Sequence, residues 1–535
     1  MPQGKEEVEQ WLALRDDDAL AALCTNLAGH DMELLLEAME DAAQDDKPKV
    51  FVCWTIKGYG MPLAGHRDNH GLFMTPDHFA AFQKSHGVAE GDEWEPLAGL
   101  SGQQAANVAR AIANAPFNCP DPDHNARNLV DVAPRLPVPD LVALDTKLPE
   151  LVSTQAAFGN LLFALSRSDD PIADHILTMA PDVATTTNLS GWINSRGLWA
   201  RAASKDAFKL AGGMTVNKHE PSPTGQHLQL GIAESNLFLA LAAAGLSAPL
   251  FGRRVLPIGT LYDPFVSRGL DSLNYGCYMD SRFIVVGTPS GISLAPEGGA
   301  HQSIYTPLIG MGQPGLTLFD VTWADELAVA LEWSLAHMQE DPGKGGSAYL
   351  RLSTLPVPQP QREITADLRS DIVDGGYWMD DVGDGSKLRV VVVHSGVTGH
   401  EASLAVAELR ETLDHDAVGH LAVTAPGVLY DGWNATVQGE PVVGGGGLYL
   451  PTPRGDGHSS HAHRLLHQVP SYCVFVTVLD GHPATLSWLG AVFGHRVLPL
   501  GVQKFGQSGD TVDLYRVYGL DKDRIVATAK HALAV

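Results

Sequence analysis

Residues 226–246 read QHLQLGIAESNLFLALAAAGL. The run 237–246 is apolar on every side rather than along one stripe. A helix of that kind is expected to be buried between other layers, not laid on a surface. Glu234 falls in its first turn. A carboxylate there offsets the helix dipole. One that enters a buried helix also needs a partner or a raised pKa. The residues alone leave a structural and a chemical reading of Glu234 level. Outward from this helix, short β-branched runs occur at 49–56, 282–288, 315–321, 348–352, 388–394 and 472–479. They are continuous rather than alternating, which suits strands covered on both faces of a parallel sheet. Helical stretches are read at 33–43, 324–339 and 401–413, the second opening with Asp325 and Glu326, where a helix start favours negative charge. Strand and helix in alternation predict an α/β protein with parallel sheets flanked by helices.

The chain has 535 residues, which suggests three or four domains at about 150 residues each. Lys plus Arg is 36 and Asp plus Glu is 62, a formal net charge of −26. That balance argues against nucleic acid, because a phosphate backbone needs a basic face. It disfavours an anionic membrane for the same reason. No apolar run approaches the roughly 18 residues of a membrane span. The N-terminus, MPQGKEEVEQ, is too polar for a signal peptide. The five cysteines (Cys24, Cys53, Cys119, Cys277, Cys473) form no CxxC. They fit a reducing cytoplasm, with neither a disulfide framework nor a zinc site. A large, acidic, cytoplasmic, multidomain enzyme is the class that remains.

Two stretches read as connections. Residues 116–139 are dense in Pro, Asp and Asn, and 355–362 (LPVPQPQR) are proline-rich and extended. They divide the chain into residues 1–100, a linker over 101–145, a middle domain over 146–357 and a C-terminal domain over 358–535. The tetraglycine 444–447 reads as a flexible loop, because no GK[ST] follows it to make a phosphate cradle.

Three clusters could carry chemistry. TIKGYG (55–60) runs into a loop holding His66 and His70, where a strand's C-terminal end is a usual ligand position. Loop histidines can move protons near neutral pH, and a solvated loop is the level alternative. The second cluster is centred on Glu234. The third, PEGGAHQS (296–303), is a Gly-rich loop after the run 282–288 and brings Glu297 and His301. A fourth group, His458, His461, His463 and His467, contains an i, i+4 pair that a metal could use. It lacks a carboxylate or Cys partner, so a polar surface helix is the reading preferred there.

In this order the clusters resemble the transketolase superfamily of thiamin-diphosphate enzymes, and within it the homodimeric type of pyruvate dehydrogenase. KVFVCWTIKGYG (49–60) is similar to the end of that family's diphosphate-binding domain, and Gly29-His30-Asp31 to its GHD segment. APDVATTTNLSGW (180–192) resembles the opening of the pyrimidine-binding domain. GIAESN (231–236) resembles the segment with the cofactor-activating glutamate, and GTLYDPFVSRGLDSL (259–273) the one whose aromatics pack on the aminopyrimidine. EGGAHQSI (297–304) resembles the transketolase substrate loop. DGHPATLSWLG (480–490) and FGQSGD (505–510) resemble the family's C-terminal domain.

The resemblance implies a thiamin-diphosphate-binding, transketolase-like fold followed by a transketolase C-terminal-like α/β domain. It implies thiamin diphosphate as cofactor, with Glu234 bonded to the N1′ atom of the aminopyrimidine and sharing a proton there. Tyr262 and Phe265 would pack beside that ring. His70 would reach the reacting carbonyl as an acid/base group, and His301, matching the histidine of the substrate loop, would also be catalytic. Glu297, His66 and Arg351 would face substrate, with Arg351 and Arg268 as the cations for a phosphate. The family also binds Mg²⁺ through a GDG motif and a downstream Asn, a ligand set suited to a hard cation. The two GDG triplets here, 383–385 and 455–457, fall in the C-terminal stretch, outside that context. No Mg²⁺ ligand is therefore named. Most of the diphosphate-binding domain is expected to be missing from this chain, leaving residues 1–100 with exposed apolar surface and a weakly active or inactive isolated chain.

Three functions follow. One is decarboxylation of a 2-oxo acid, pyruvate, with acyl transfer to a lipoyl acyltransferase. TIKGYG favours it. The second is transketolase-like transfer of a two-carbon ketol unit between sugar phosphates. GGAHQS favours it, although Glu297 stands where transketolases carry an aspartate. The third is a partner-dependent or inactive fragment, favoured by the missing metal motif. A homodimer, or association with a chain carrying the diphosphate-binding domain, is expected in each case.

Overall fold

A computed structural model describes residues 4–20, 28–66, 73–115, 133–203, 205, 221–438 and 460–534. The chain divides into two units, Met1–Cys119 and Pro120–Val535.

In the larger unit, thirteen strands appear among the described residues. β1 (Leu151–Val152) is followed by β2 (Ile176–Ala180), β3 (His227–Gln229), β4 (Leu256–Leu261), β5 (Ile284–Gly287), β6 (Leu316–Phe319) and β7 (Ser347–Arg351). β2 to β7 make a six-stranded sheet in the order β3-β2-β4-β5-β7-β6, parallel throughout. Every residue of β4, β5, β6 and β7 is buried. That is why these strands read as unbroken apolar runs: helices cover both faces. One layer packs Leu162, Trp192 and Leu331 against the sheet, and the opposite layer packs Leu237, Phe238 and Leu241. Each such side chain contributes about 1.5–3 kcal/mol by leaving water.

β8 (Val357–Pro358), β9 (Gly376–Trp378), β10 (Val390–Ser395), β11 (Val418–Val423), β12 (Val474–Leu479) and β13 (Arg496–Leu500) follow. The last five form a second sheet in the order β13-β12-β10-β11-β9. Three of its four pairings are parallel, and at the edge β9 runs antiparallel to β11. The parallel expectation fails at that edge for a local reason. Gly375, at φ 112°, turns the chain straight out of the helix Ala366–Asp374 into β9, with no crossover to reverse its direction. The proline-rich segment 355–362 is indeed extended, and within it β8 pairs antiparallel with β1.

The smaller unit holds the helices Lys5–Ala13, Met32–Ala42, Pro76–Ser85 and Gly102–Ala113. The last lies inside the expected linker 101–145. Ser101 and Gln104 close a capping box at its start, which the composition of the stretch had hidden. The strand expected at 49–56 does not form. A strand needs a neighbour's backbone, and no strand occurs among the described residues of this unit. Ile56 N donates instead to His30 Nε2 at 2.8 Å, and the His30 ring stacks on Tyr59 with centroids 4.0 Å apart. Gly29 is the residue that permits this: a Cβ there would sit 2.1 Å from the Trp54 carbonyl oxygen. Asp31 caps the helix Met32–Ala42 by accepting from Glu33 N and Leu34 N. None of the unit's described residues is buried, and Val50, Val52, Phe73 and Trp94 are each more than four-fifths exposed.

Candidate functional site

The site lies at the C-terminal ends of β4 and β5. After β4 the chain passes Tyr262 into a tight 3-10 turn, Asp263–Gly269, which presents Phe265 and Arg268. The Tyr262 and Phe265 rings lie nearly parallel, 6.2 Å apart. The loop after β5 ends in a single turn, Gly299–His301, and the His301 ring meets Phe265 edge-on at 5.4 Å and Tyr262 at 6.3 Å.

Opposite stands the helix Glu234–Gly245, which packs on β4. Glu234 is its first residue and is 7% exposed. Arg268 Nη1 donates to Glu234 Oε1 at 2.7 Å, and the same guanidinium lies 3.8 Å above the Phe265 ring. Ser235 Oγ donates to the Arg268 carbonyl, tying the helix start to the aromatic turn. The helix is not buried all round as its sequence suggests. Leu237, Phe238 and Leu241 face the sheet, while Leu239 is open.

Beneath this cluster is a buried charge network. Asp263, fully buried, accepts from Ser303 Oγ, Tyr349 Oη, Thr306 Oγ1 (2.6 Å) and Arg351 Nε (3.1 Å). Arg351 Nη1 donates to Asp320 Oδ2 at 3.0 Å, and Nη2 to the Asp480 carbonyl. The Asp480 carboxylate accepts from Ile292 N and Ser293 N, at 2.9 and 3.1 Å. Burial pushes the Asp480 carboxyl up to about 6, against the pull of Arg351. Burial likewise raises Asp320. Asp320 and Asp480 hold full charge beside Arg351 only at the cost of leaving water.

The structure thus brings Glu234, Tyr262, Phe265 and His301 together, with Arg268 among them. Glu297 is exposed on the same loop as His301. Its neighbour Gly298 packs against Ser508, and Gln302 donates to the Gln507 carbonyl, so FGQSGD buttresses the loop. Arg351 is a correction. It is 1% exposed and engaged by Asp263, Asp320 and the Asp480 carbonyl, so it ties elements together rather than facing a substrate phosphate. His66 is exposed in the smaller unit, and His70 lies outside the described residues. Among the late histidines, His463 Nδ1 meets Ser460 Oγ and His467 Nδ1 meets the Arg464 carbonyl, and neither joins a group of three metal-type ligands among the described residues. His458 and the triplet 455–457 are outside the described residues.

Asp263 and Asp480 went unnoticed in the sequence. Each is a single acid after a strand, the commonest turn composition, and their partners come from distant segments. The only available signal was a charged residue within the aromatic motif YDPF.

Glu234 and the two rings suit the aminopyrimidine of thiamin diphosphate. A dry carboxylate can share a proton with a ring nitrogen, and flat half-buried aromatics can stack a heterocycle. For the diphosphate and its metal the described residues offer no comparable set. One group of three metal-type ligands occurs among them, Asp371, Asp374 and His461. Its His461 Nε2 already faces the Gly376 carbonyl at 2.7 Å, and Arg464 Nη2 lies 3.6 Å from Asp374.

Comparison with known proteins agrees with this α/β fold. Residues 145–352 match the family described as the pyruvate dehydrogenase E1 component middle domain. A pyruvate dehydrogenase E1 component of Cupriavidus necator is 27% identical over 424 residues, covering 76% of this chain and 45% of that protein. Transketolase 2 of Vibrio vulnificus is 23% identical over 522 residues, covering 95% of this chain and 67% of its own length. The transketolase structure from Campylobacter jejuni superposes with a TM-score of 0.62 at 15% identity, covering 94% of this chain and 66% of that one. In sequence and in fold the chain is similar to the transketolase superfamily of thiamin-diphosphate-dependent enzymes. It spans less than half the length of the pyruvate dehydrogenase relative.

Proposed function

We propose that this chain forms the pyrimidine-binding and C-terminal parts of a thiamin-diphosphate enzyme that decarboxylates a 2-oxo acid, pyruvate, and passes the acyl group to a lipoyl acyltransferase. The observation that carries the reading is Glu234, a nearly buried carboxylate at a helix start, facing the Phe265 and Tyr262 rings across Arg268. The cofactor would supply an electron sink at the carbon that loses CO₂. Glu234 holds or returns a proton at the pyrimidine N1′. Phe265 and Tyr262 fix the ring's plane. His301, at the rim of the same rings, would exchange a proton with the reacting carbonyl, and His70 is proposed for the same work. Glu297 and His66 remain candidates for substrate contact.

Arg351 favours the 2-oxo acid over sugar phosphates, because its burial removes the best phosphate anchor from the site. Ketol transfer between sugar phosphates is the second reading, supported by the likeness to transketolases over 95% of the chain. The domain division proposed is 1–100 for the end of the diphosphate-binding domain, 101–145 for the connection, 146–357 for the pyrimidine-binding domain and 358–535 for the C-terminal domain.

We also propose a homodimer, or pairing with a chain that carries the diphosphate-binding domain and its Mg²⁺ ligands. Ile232, Leu239, Tyr275, Tyr278 and Met279 support it as exposed apolar residues around the site-bearing helix. A cytoplasmic location fits Cys53, Cys277 and Cys473, which are all free. No described helix is long and apolar enough to cross a membrane.

Calorimetric titration of thiamin diphosphate, with and without Mg²⁺, tests the reading. Binding should weaken at least about tenfold in Glu234→Gln, which keeps the shape and loses the charge. Unchanged affinity in that variant would remove Glu234 from the site. Release of CO₂ from pyruvate by the loaded protein, against ketol transfer from a sugar phosphate, separates the two substrates.

A further inference from the structure

The helix that begins at Glu234 ends at Gly245, beside a cavity of about 130 Å³. Arg254, Asp280, Arg282, Met338 and Glu340 also line it. Its charges are unevenly matched. Arg282 donates through Nε and Nη2 to the two oxygens of Asp280, at 3.1 and 2.9 Å, and also reaches the carbonyls of Met338, Glu340 and Asp341. Glu340 is paired with Arg135 at 3.0 Å. Each carboxylate on the wall therefore already has its own guanidinium.

Arg254 has no such partner. It is 9% exposed, and its Nε and Nη2 donate to the backbone carbonyls of Pro134 and Ala133, at 3.1 and 2.6 Å. Its Nη1 makes no hydrogen bond with a described residue, and no described carboxylate lies within ion-pair distance of it. Burial, and then the positive charges of Arg282 and Arg135, hold the guanidinium's pKa below its ordinary value. Buried charges are ordinarily paired. Here a cation is left over in a chain whose net charge is −26.

We propose that Arg254 and this cavity form a binding site for a small oxyanion of the phosphate or carboxylate kind, separate from the Glu234 site. A guanidinium nitrogen left without a partner can make a charge-assisted hydrogen bond to an oxyanion's oxygen. The cavity is well below the roughly 300–1,000 Å³ of pockets that hold drug-sized ligands, which limits the guest to a small ion. The site rests on Arg254 and its neighbours alone and does not depend on the cofactor reading. A bound oxyanion would join the 133–134 segment to the far end of the helix that carries Glu234.

The test is ³¹P NMR of inorganic phosphate added to the full chain at constant ionic strength, with sodium acetate as competitor. Saturable line broadening is expected with the native chain and a loss of at least about tenfold in affinity with Arg254→Met. Arg254→Lys keeps a cation and one donor for the Ala133 carbonyl but loses the free Nη1 donor. It guards against a Met variant that fails to fold, and should show the same loss. Arg253→Met, at the exposed neighbour, should bind phosphate like the native chain. Displacement by acetate would extend the site to carboxylates, and resistance to it would narrow the site to phosphates. No saturable broadening with the native chain, or equal broadening in Arg254→Lys, would overturn the proposal.

Discussion

Arg268 lies between the Glu234 carboxylate and the Phe265 ring, where the proposed function seats a pyrimidine. Its ion pair with Glu234 is half exposed on the arginine side, which places its worth at about 0.2–1 kcal/mol. Replacing Arg268 with Gln should therefore leave stability nearly unchanged. It should tighten thiamin diphosphate by no more than about fivefold, read by the same titration. A loss of binding would instead make Arg268 part of the seat. A second expectation concerns buried histidines. His394 Nδ1 and His420 Nε2 lie 2.9 Å apart in the C-terminal sheet. Burial holds His420 and His227 at about 4, and His394 falls well below its ordinary value through burial and then its neighbour His420. Folding keeps these rings neutral, whereas the unfolded chain protonates them near 6.5. Their contribution is complete above that pH and is lost as pH falls from about 6.5 to 4. Urea unfolding at stepped pH should show declining stability across that window, with a shallower slope in His420→Asn. Glu234 drew notice as an acid in the first turn of an apolar helix, and only the resemblance carried by GIAESN gave it a role. Asp263 and Asp480 were not, because nothing local separates a network acid from a turn acid.

At the scale of elements, the helix Glu234–Gly245 is set by its contact with β4. Gly259 makes that contact possible: a Cβ there would come within 2.6 Å of Leu241 Cδ1 and 3.1 Å of Leu237 Cδ1. Gly259→Ala should cost about 1–3 kcal/mol by overpacking and move the helix outward. Thiamin diphosphate affinity should fall with it, so denaturation and titration on the same variant check both halves. Unchanged affinity at reduced stability would mean the helix start is held elsewhere. The strands recognised in the sequence were those buried along their whole length, such as VVVVHS of β10. β1, β2, β3, β4, β8, β9, β11 and β13 were not among the runs read as strands: HLQ, LPIGTL, VGHLAV and RVLPL carry Gln, Pro, Gly, His or Arg within the run, and β1, β2, β8 and β9 are at most five residues long. The segment 49–56 erred in the other direction. Its β-branched residues read as a strand, but pairing is a property of a neighbour, not of the run itself.

In the larger unit as a whole, the two sheets meet through Arg351. Asp263 follows β4, Asp320 follows β6 and Asp480 follows β12, so one side chain reaches acids or carbonyls from both sheets. Arg351→Met would leave two buried carboxylates without their cation. The expected loss is about 3–5 kcal/mol, read as a lower urea midpoint. An unchanged midpoint would show that the acids protonate at little cost. Composition and charge anticipated the class of molecule, while this joint was invisible to them, because its members are scattered from residue 263 to residue 480.

The short ladder of β1 with β8 has a consequence of its own. Leu151 pairs with Pro358 and Val152 with Val357, and Gln359 N donates to the Glu150 carbonyl at 2.9 Å. The chain therefore enters and leaves the six-stranded sheet at one spot. A segment whose two ends are clasped together behaves as a cassette. It can be carried between proteins by splicing at a single point, or given new termini elsewhere, without unthreading the sheet it encloses.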